Sequence, residues 1–105
     1  MDIVLIYCTV PSKSQAKCIA KTLVKNKLAA CVGITDNVTS YFSWDGEFCK
    51  EKEFLLTIKT RRDYFQKIKV VIESMHDYNL PEIIAVPIVD CGEEYSKWLI
   101  KETDG

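Results

Sequence analysis

Apolar positions along the chain change period several times, and each change marks an element. Residues 3–9 are β-branched and apolar and predict a strand, which Pro11-Ser12 then breaks. Ser12 with Gln15 three residues later has capping-box spacing and opens a helix. That helix sets Ala16, Ile19, Ala20, Leu23 and Val24 on one face, with Lys17, Lys21 and Lys25 outside. Asn26 and Lys27 suit its C-terminal turn. From Ala29 to Trp44 the pattern is extended. Asp45-Gly46 is a two-residue hairpin signal, because glycine accepts positive φ. The return strand runs from Glu47 to about Lys59, with Phe54, Leu56 and Ile58 on one face. Phe65, Ile68, Ile72 and Met75 are spaced for a second helix over Arg62–Met75. Residues 83–89 are a continuous apolar run and predict a fourth strand, with Pro87 at an edge, a bulge or its end. A short helix over Glu93–Lys101 presents Tyr95, Trp98 and Leu99.

The order is β-α-β-β-α-β plus a terminal helix. It predicts an α+β fold of the ferredoxin-like, split βαβ kind, with a four-stranded antiparallel sheet and two helices on one face. Each arm of the central hairpin, about 14 residues long, spans roughly 45 Å. A globule of ~100 residues is only about 35 Å across. The hairpin therefore overhangs its own domain. Tyr41, Phe42, Trp44 and Phe48 cluster at its tip, and a lone two-stranded ribbon with exposed aromatics is marginal in water. A partner subunit pairing with the ribbon and burying the rings is the economical expectation. The alternative is a bent hairpin folded over the open face of its own sheet.

Composition adds limits. The 105 residues predict one domain, residues 1–105, large enough to bury a core without disulfides. The 14 basic and 15 acidic residues give a net charge of -1, so no nucleic acid or anionic membrane is expected as a partner. Asp2 stands where a secretion signal would carry Lys or Arg, and the apolar stretch that follows is short. Neither a signal peptide nor a membrane span is expected. The five cysteines, Cys8, Cys18, Cys31, Cys49 and Cys91, are odd in number and form no C-x-x-C pair. That speaks for reduced thiols in a cytoplasmic protein rather than a disulfide framework or a zinc finger.

The stretches Thr9-Val10-Pro11, Lys27-Leu28-Ala29-Ala30-Cys31-Val32, Ser40-Tyr41-Phe42-Ser43-Trp44-Asp45-Gly46, Lys59-Thr60, His76-Asp77-Tyr78-Asn79-Leu80-Pro81-Glu82 and Tyr95-x-x-Trp98 occur in this order. Together they resemble the CutA family of divalent-cation tolerance proteins, from about Ile3 to Thr103. The resemblance implies a ferredoxin-like protomer and a homotrimer in which long hairpin strands pair between subunits. It also implies a link to tolerance of copper and other divalent metals. The likeness of such trimers to PII signalling proteins leaves a second reading, a sensor or scaffold that binds a small molecule at inter-subunit clefts.

Two residue sets follow. The first is His76, Cys8 and Met75. In family members that bind copper, the ligands resemble Cys8 and a histidine at or beside His76. Thiolate, imidazole and thioether suit copper or zinc. Structural roles compete with ligation. Met75 lies on the apolar period of its helix, Cys8 in a buried strand acts as a small hydrophobe, and His76 closes a helix where a cation suits the dipole. The second set is Glu53, Lys59, Tyr78 and Glu82, which the resemblance places near inter-subunit clefts. There they either bind a small ligand or ion, or form a salt-bridge network that fixes assembly.

No enzyme is expected. Thr9-Val10-Pro11-Ser12 lacks the Arg and Gly-rich loop of acylphosphatase-like hydrolases on the same fold, and no nucleophile has a recognisable base partner. An RNA-recognition module shares the strand order. It needs aromatics on the third strand, where this chain has Glu53-Phe54-Leu55-Leu56-Thr57-Ile58-Lys59. The expected function is a trimeric copper- or divalent-metal-binding protein that contributes to metal tolerance.

Overall fold

Strict alternation in Ile3–Val10 sends Val4, Ile6, Cys8 and Val10 to one face, and that face forms the core of the molecule. A computed structural model describes residues 2–104; of the predicted domain 1–105, Met1 and Gly105 lie outside the described residues. The elements are β1 (Ile3–Val10), α1 (Lys13–Lys25), β2 (Cys31–Trp44), β3 (Glu47–Arg61), α2 (Phe65–Met75), β4 (Ile84–Pro87) and α3 (Glu93–Glu102). They form a four-stranded antiparallel sheet in the order β2-β3-β1-β4, which is the predicted ferredoxin-like α+β arrangement.

Ser12 caps α1, its hydroxyl accepting the Gln15 N–H at 3.2 Å. The box is only half made. The Gln15 side chain donates instead to the Met75 carbonyl at 3.1 Å, tying α1 to the end of α2. Ala16, Ile19 and Leu23 of α1 and Ile68 and Ile72 of α2 pack on Ile6, Leu56 and Ile58 of the sheet. Val24, expected on this face, is 43% exposed, because α1 turns it past the edge of the packed stripe. α2 is shorter than predicted, since Arg62–Tyr64 form a separate 3-10 turn. β4 covers only four residues of the predicted 83–89 run, all exposed. It is an edge strand, and Pro87, with no N–H for the ladder, is its last residue.

Leu5, Tyr7, Leu55, Ile84 and Val86 alternate to the other face. There α3 covers only a corner, where Leu99 packs with Ile3 and Ala30. Arg61 pins the end of α3, donating from Nη2 to the Ile100 carbonyl at 2.7 Å and from Nε to the Thr103 hydroxyl at 2.9 Å. The β2–β3 hairpin turns at Asp45 (φ 51°) and Gly46 (φ 78°), the two positive φ values a type I′ turn requires. A bulge between Thr35 and Val38, with Asn37 at φ 60°, interrupts the long β2 arm. The chain is 45 Å long and 25 × 23 Å across, so the hairpin sets the long dimension, as its length predicts. No helix among the described residues is long and apolar enough to cross a membrane.

Candidate functional site

The two-residue turn fixes the hairpin register, and the register fixes one wall of a cleft. Trp44 pairs with Glu47, Phe42 with Cys49 and Ser40 with Glu51, so these six residues share a face. The segment that leaves α2 supplies the opposite wall. His76 takes extended backbone (φ -81°, ψ 139°), which ends the helix and sends residues 77–82 across the end of β1. The cleft between the walls has a volume of about 830 Å³. Glu51, Glu53, Asp77 and Glu82 line it together with Tyr41, Phe42, Trp44 and Tyr78.

His76 holds the second wall in place. Its Nε2 lies 2.7 Å from the Thr9 carbonyl oxygen, and its Nδ1 lies 3.0 Å from the Tyr78 backbone N–H. A carbonyl only accepts and an N–H only donates, so Nε2 carries the proton and Nδ1 the lone pair. The Tyr78 ring rests against the imidazole with centroids 4.9 Å apart. Its hydroxyl donates to Glu53 Oε2 at 2.9 Å. The chain Thr9–His76–Tyr78–Glu53 thus links β1 to β3 through the 77–82 segment. Burial, then the hydrogen bond and charge of Glu53, then the charge of Glu51, push the Tyr78 phenol well above its ordinary range.

The predicted copper set occupies three different settings. Cys8 is wholly buried in the core, its thiol 3.8 Å from the Thr9 carbonyl. Burial first, and the charges of Glu82 and Glu53 second, push that thiol up to about 12. Met75 packs against the core and lines a separate small pocket with Ser12 and Cys18. His76 has both ring nitrogens engaged, so a metal there must first displace the Tyr78 N–H. Among the described residues, no three His, Cys, Asp or Glu side chains converge to hold a metal ion.

The predicted cleft set fares differently. Glu53, Tyr78 and Glu82 come together in one chain. Lys59 does not: it lies six residues along β3 from Glu53, ~20 Å at the strand rise, with its ammonium 5.7 Å from the Tyr95 ring centroid. Glu51, Asp77, Phe42 and Trp44 complete the walls, and sequence reasoning gave them no part in a cleft. For the hairpin residues the signal was present: a two-residue turn at Asp45-Gly46 dictates that Trp44, Phe42 and Ser40 face with Glu47, Cys49 and Glu51.

Comparison with known proteins places this arrangement. A family model described as CutA1 divalent ion tolerance protein matches residues 4–102. The divalent-cation tolerance protein CutA of Thermus thermophilus is 44% identical over 102 residues, covering 97% of each chain. A solved structure of the divalent cation tolerance protein from Thermus thermophilus superposes with a TM-score of 0.94 at 42% identity, covering 96% of this chain and 98% of that one. The CutA1 structure from Oryza sativa gives a TM-score of 0.95 at 35% identity, covering 98% and 94%.

Proposed function

This chain belongs to the CutA1 divalent ion tolerance family, and on that premise we propose that it binds divalent cations, copper among them, as cargo. In this reading it contributes to metal tolerance as a cytoplasmic homotrimer and performs no covalent chemistry. The observation that carries the proposal is the cleft, which has four carboxylates on its walls and no Lys, Arg or His among its lining residues. Such a wall attracts cations and repels anions. The hairpin supports the assembly. Phe48 and Tyr41 are 77% and 62% exposed near its tip, and β2 is a 14-residue edge strand with unpaired backbone groups. A second and third copy would cover the rings and close the edge. They would also bring carboxylates of neighbouring chains near one another, which offers a coordination shell that one chain lacks.

His76, Cys8 and Met75 enter this proposal as a copper set reached by rearrangement. The 77–82 segment must release Nδ1, and the buried thiol must lose its proton. The PII-like reading, a trimeric sensor or scaffold with a small molecule at the subunit boundary, is favoured by one observation. A cleft of about 830 Å³ with aromatic walls is larger than a bare ion needs.

Equilibrium dialysis of the reduced protein against Cu(II) and Zn(II) tests the assignment. Uptake that falls in Glu53→Gln and Glu82→Gln but persists in His76→Ala supports the carboxylate cleft. Uptake lost only in His76→Ala moves the metal to the imidazole set. No uptake in the wild type defeats the cargo reading.

A further inference from the structure

A net charge of -1 is an average, and in this fold the charges are segregated. From Lys13 to Lys27 the chain carries five lysines and no acid, and all five are exposed. Arg62, Lys67 and Lys69, in the 3-10 turn and α2, stand with only Asp63 and Glu73. Eight basic and two acidic residues give the α1–α2 layer a charge of +6. The other six basic and thirteen acidic residues give the rest of the chain -7.

Lys13, Lys17, Lys21 and Lys25 recur every four residues, about 6 Å apart along α1, while Ala16, Ile19 and Leu23 fill its buried side. Like charges at that spacing repel. Lys13 also stands in the first turn, where the helix dipole disfavours a cation and no acid offsets it. None of the five lysines forms a salt bridge among the described residues. None of them lines the cleft. The two helices pack side by side on one face of the sheet, so the stripe belongs to a single layer.

The make-up of that layer selects the class of anion it fits. Protein interfaces are anchored by Trp, Tyr or Arg and are poor in Lys. Here the cations are lysines apart from Arg62, and the large apolar side chains exposed on α1 and α2 are Val24 and Val70. Nucleic-acid bases stack on open aromatic faces. Tyr64 is half-buried, and its ring already has the Lys67 ammonium 5.0 Å and the Arg61 guanidinium 5.5 Å from its centroid. Compact ammonium charges on flexible stems suit the diffuse charge of lipid headgroups. Screening acts over ~8 Å at physiological salt, and the molecule is 23 Å across its shortest dimension. Its acidic remainder therefore orients the molecule without cancelling the attraction.

We propose that the α1–α2 layer docks peripherally on an anionic lipid surface, with headgroups against Lys13, Lys17, Lys21 and Lys25 and no segment inserted. The expectation against such a surface follows from net charge alone, and the segregation is what that average conceals. The inference is independent of any cation in the cleft.

The test is co-sedimentation of the full-length reduced protein with vesicles of equimolar phosphatidylserine and phosphatidylcholine, beside vesicles of phosphatidylcholine alone. The expected result is binding to the anionic vesicles only, present at ~0.15 M salt and lost at ~1 M. Lys17→Gln combined with Lys21→Gln should weaken it by roughly 30-fold, since each lysine near the surface is worth about fivefold. Both side chains are exposed, so the fold is not at stake, and Lys101→Gln on α3 should leave binding unchanged. Equal binding to both vesicles, binding that survives ~1 M salt, or binding indifferent to the double variant overturns the proposal. No binding to either vesicle overturns it too, and poly(U) RNA bound in their place would move the layer to nucleic acid.

Discussion

The packed half of the sheet and the hairpin that projects from it solve opposite problems. On one face Ile6, Leu56 and Ile58 meet Ile19, Leu23, Ile68 and Ile72, and every one of these side chains is fully buried within a single chain. On the hairpin, Tyr41, Phe42, Trp44 and Phe48 are large, apolar and exposed, and Glu53 is buried with the Tyr78 hydroxyl as its donor and no salt bridge among the described residues. The first region is complete by itself. The second leaves large rings exposed and gathers carboxylates without a basic neighbour on the cleft walls, which is what the proposed assembly and cation binding would answer. Both regions are rich in large apolar side chains, so hydrophobicity alone does not separate stability from recognition. Burial and the presence or absence of partners do.

The contrast breaks first at Ile72. Ile72→Ala removes a fully buried side chain and leaves a cavity, so a loss of about 2–5 kcal/mol is expected in urea unfolding at fixed protein concentration. An effect under about 1 kcal/mol would mean that the helix-covered face is not the self-sufficient core.

Cys8 sharpens the same point through pH. The buried thiol ionises near 12, against 9.0 for an unperturbed one. Its folded-state value is raised, so the unfolded chain loses the thiol proton first. Stability from this group is therefore intact below pH 9.0 and falls as pH rises towards about 12. The slope approaches ~1.4 kcal/mol per pH unit within that window. Urea unfolding of wild type and Cys8→Ala measures it, since the variant lacks this titration while the others cancel. A thiol-reactive dye should label the exposed Cys18 and Cys91 quickly and Cys8 only on unfolding.

Tyr78→Phe comes next. Losing the hydroxyl leaves the buried Glu53 carboxylate with no donor among the described residues, at a cost of about 1–3 kcal/mol. Neutralising the carboxylate in Glu53→Gln together with Tyr78→Phe should recover part of that loss. A double-variant loss equal to the sum of the two single-variant losses would mean that the pair is not coupled. The smallest effect belongs to the hairpin tip. Phe48→Ala should change the unfolding free energy of a dissociated chain by less than about 0.5 kcal/mol, because the ring is 77% exposed there. The same substitution should raise the concentration at which an assembly falls apart, read by sedimentation velocity.

Much of the complete region was legible in the residues. Alternation from Ile3, the Ser12 cap and the helical spacing of Ile68 and Ile72 all point to the face that is buried. Asp45-Gly46 fixed the turn and, through its register, the side of the hairpin on which Phe42 and Trp44 stand. Local rules faltered where distant contacts decide. The Gln15 side chain abandons the capping box for a carbonyl sixty residues away. His76 is oriented by Thr9, sixty-seven residues earlier, and that contact consumes a ring nitrogen that sequence reasoning assigned to a metal. Glu53 sits in the charged run Lys50-Glu51-Lys52-Glu53, and only the family resemblance pointed it towards a cleft. It is buried in the fold, where the hydroxyl of Tyr78, twenty-five residues later, donates to it. Lys59 shares Glu53's side of β3, yet the strand's own length carries it out of the cleft of one chain.

Native mass spectrometry of the reduced protein, with and without Cu(II), tests the cleft as a shared cation site most directly, because it counts chains and bound ions together. The expected result is a trimer that takes up copper, about one ion per chain, and loses most of it in Glu53→Gln. A monomer at micromolar concentration, or a trimer whose copper is indifferent to Glu53, would contradict it.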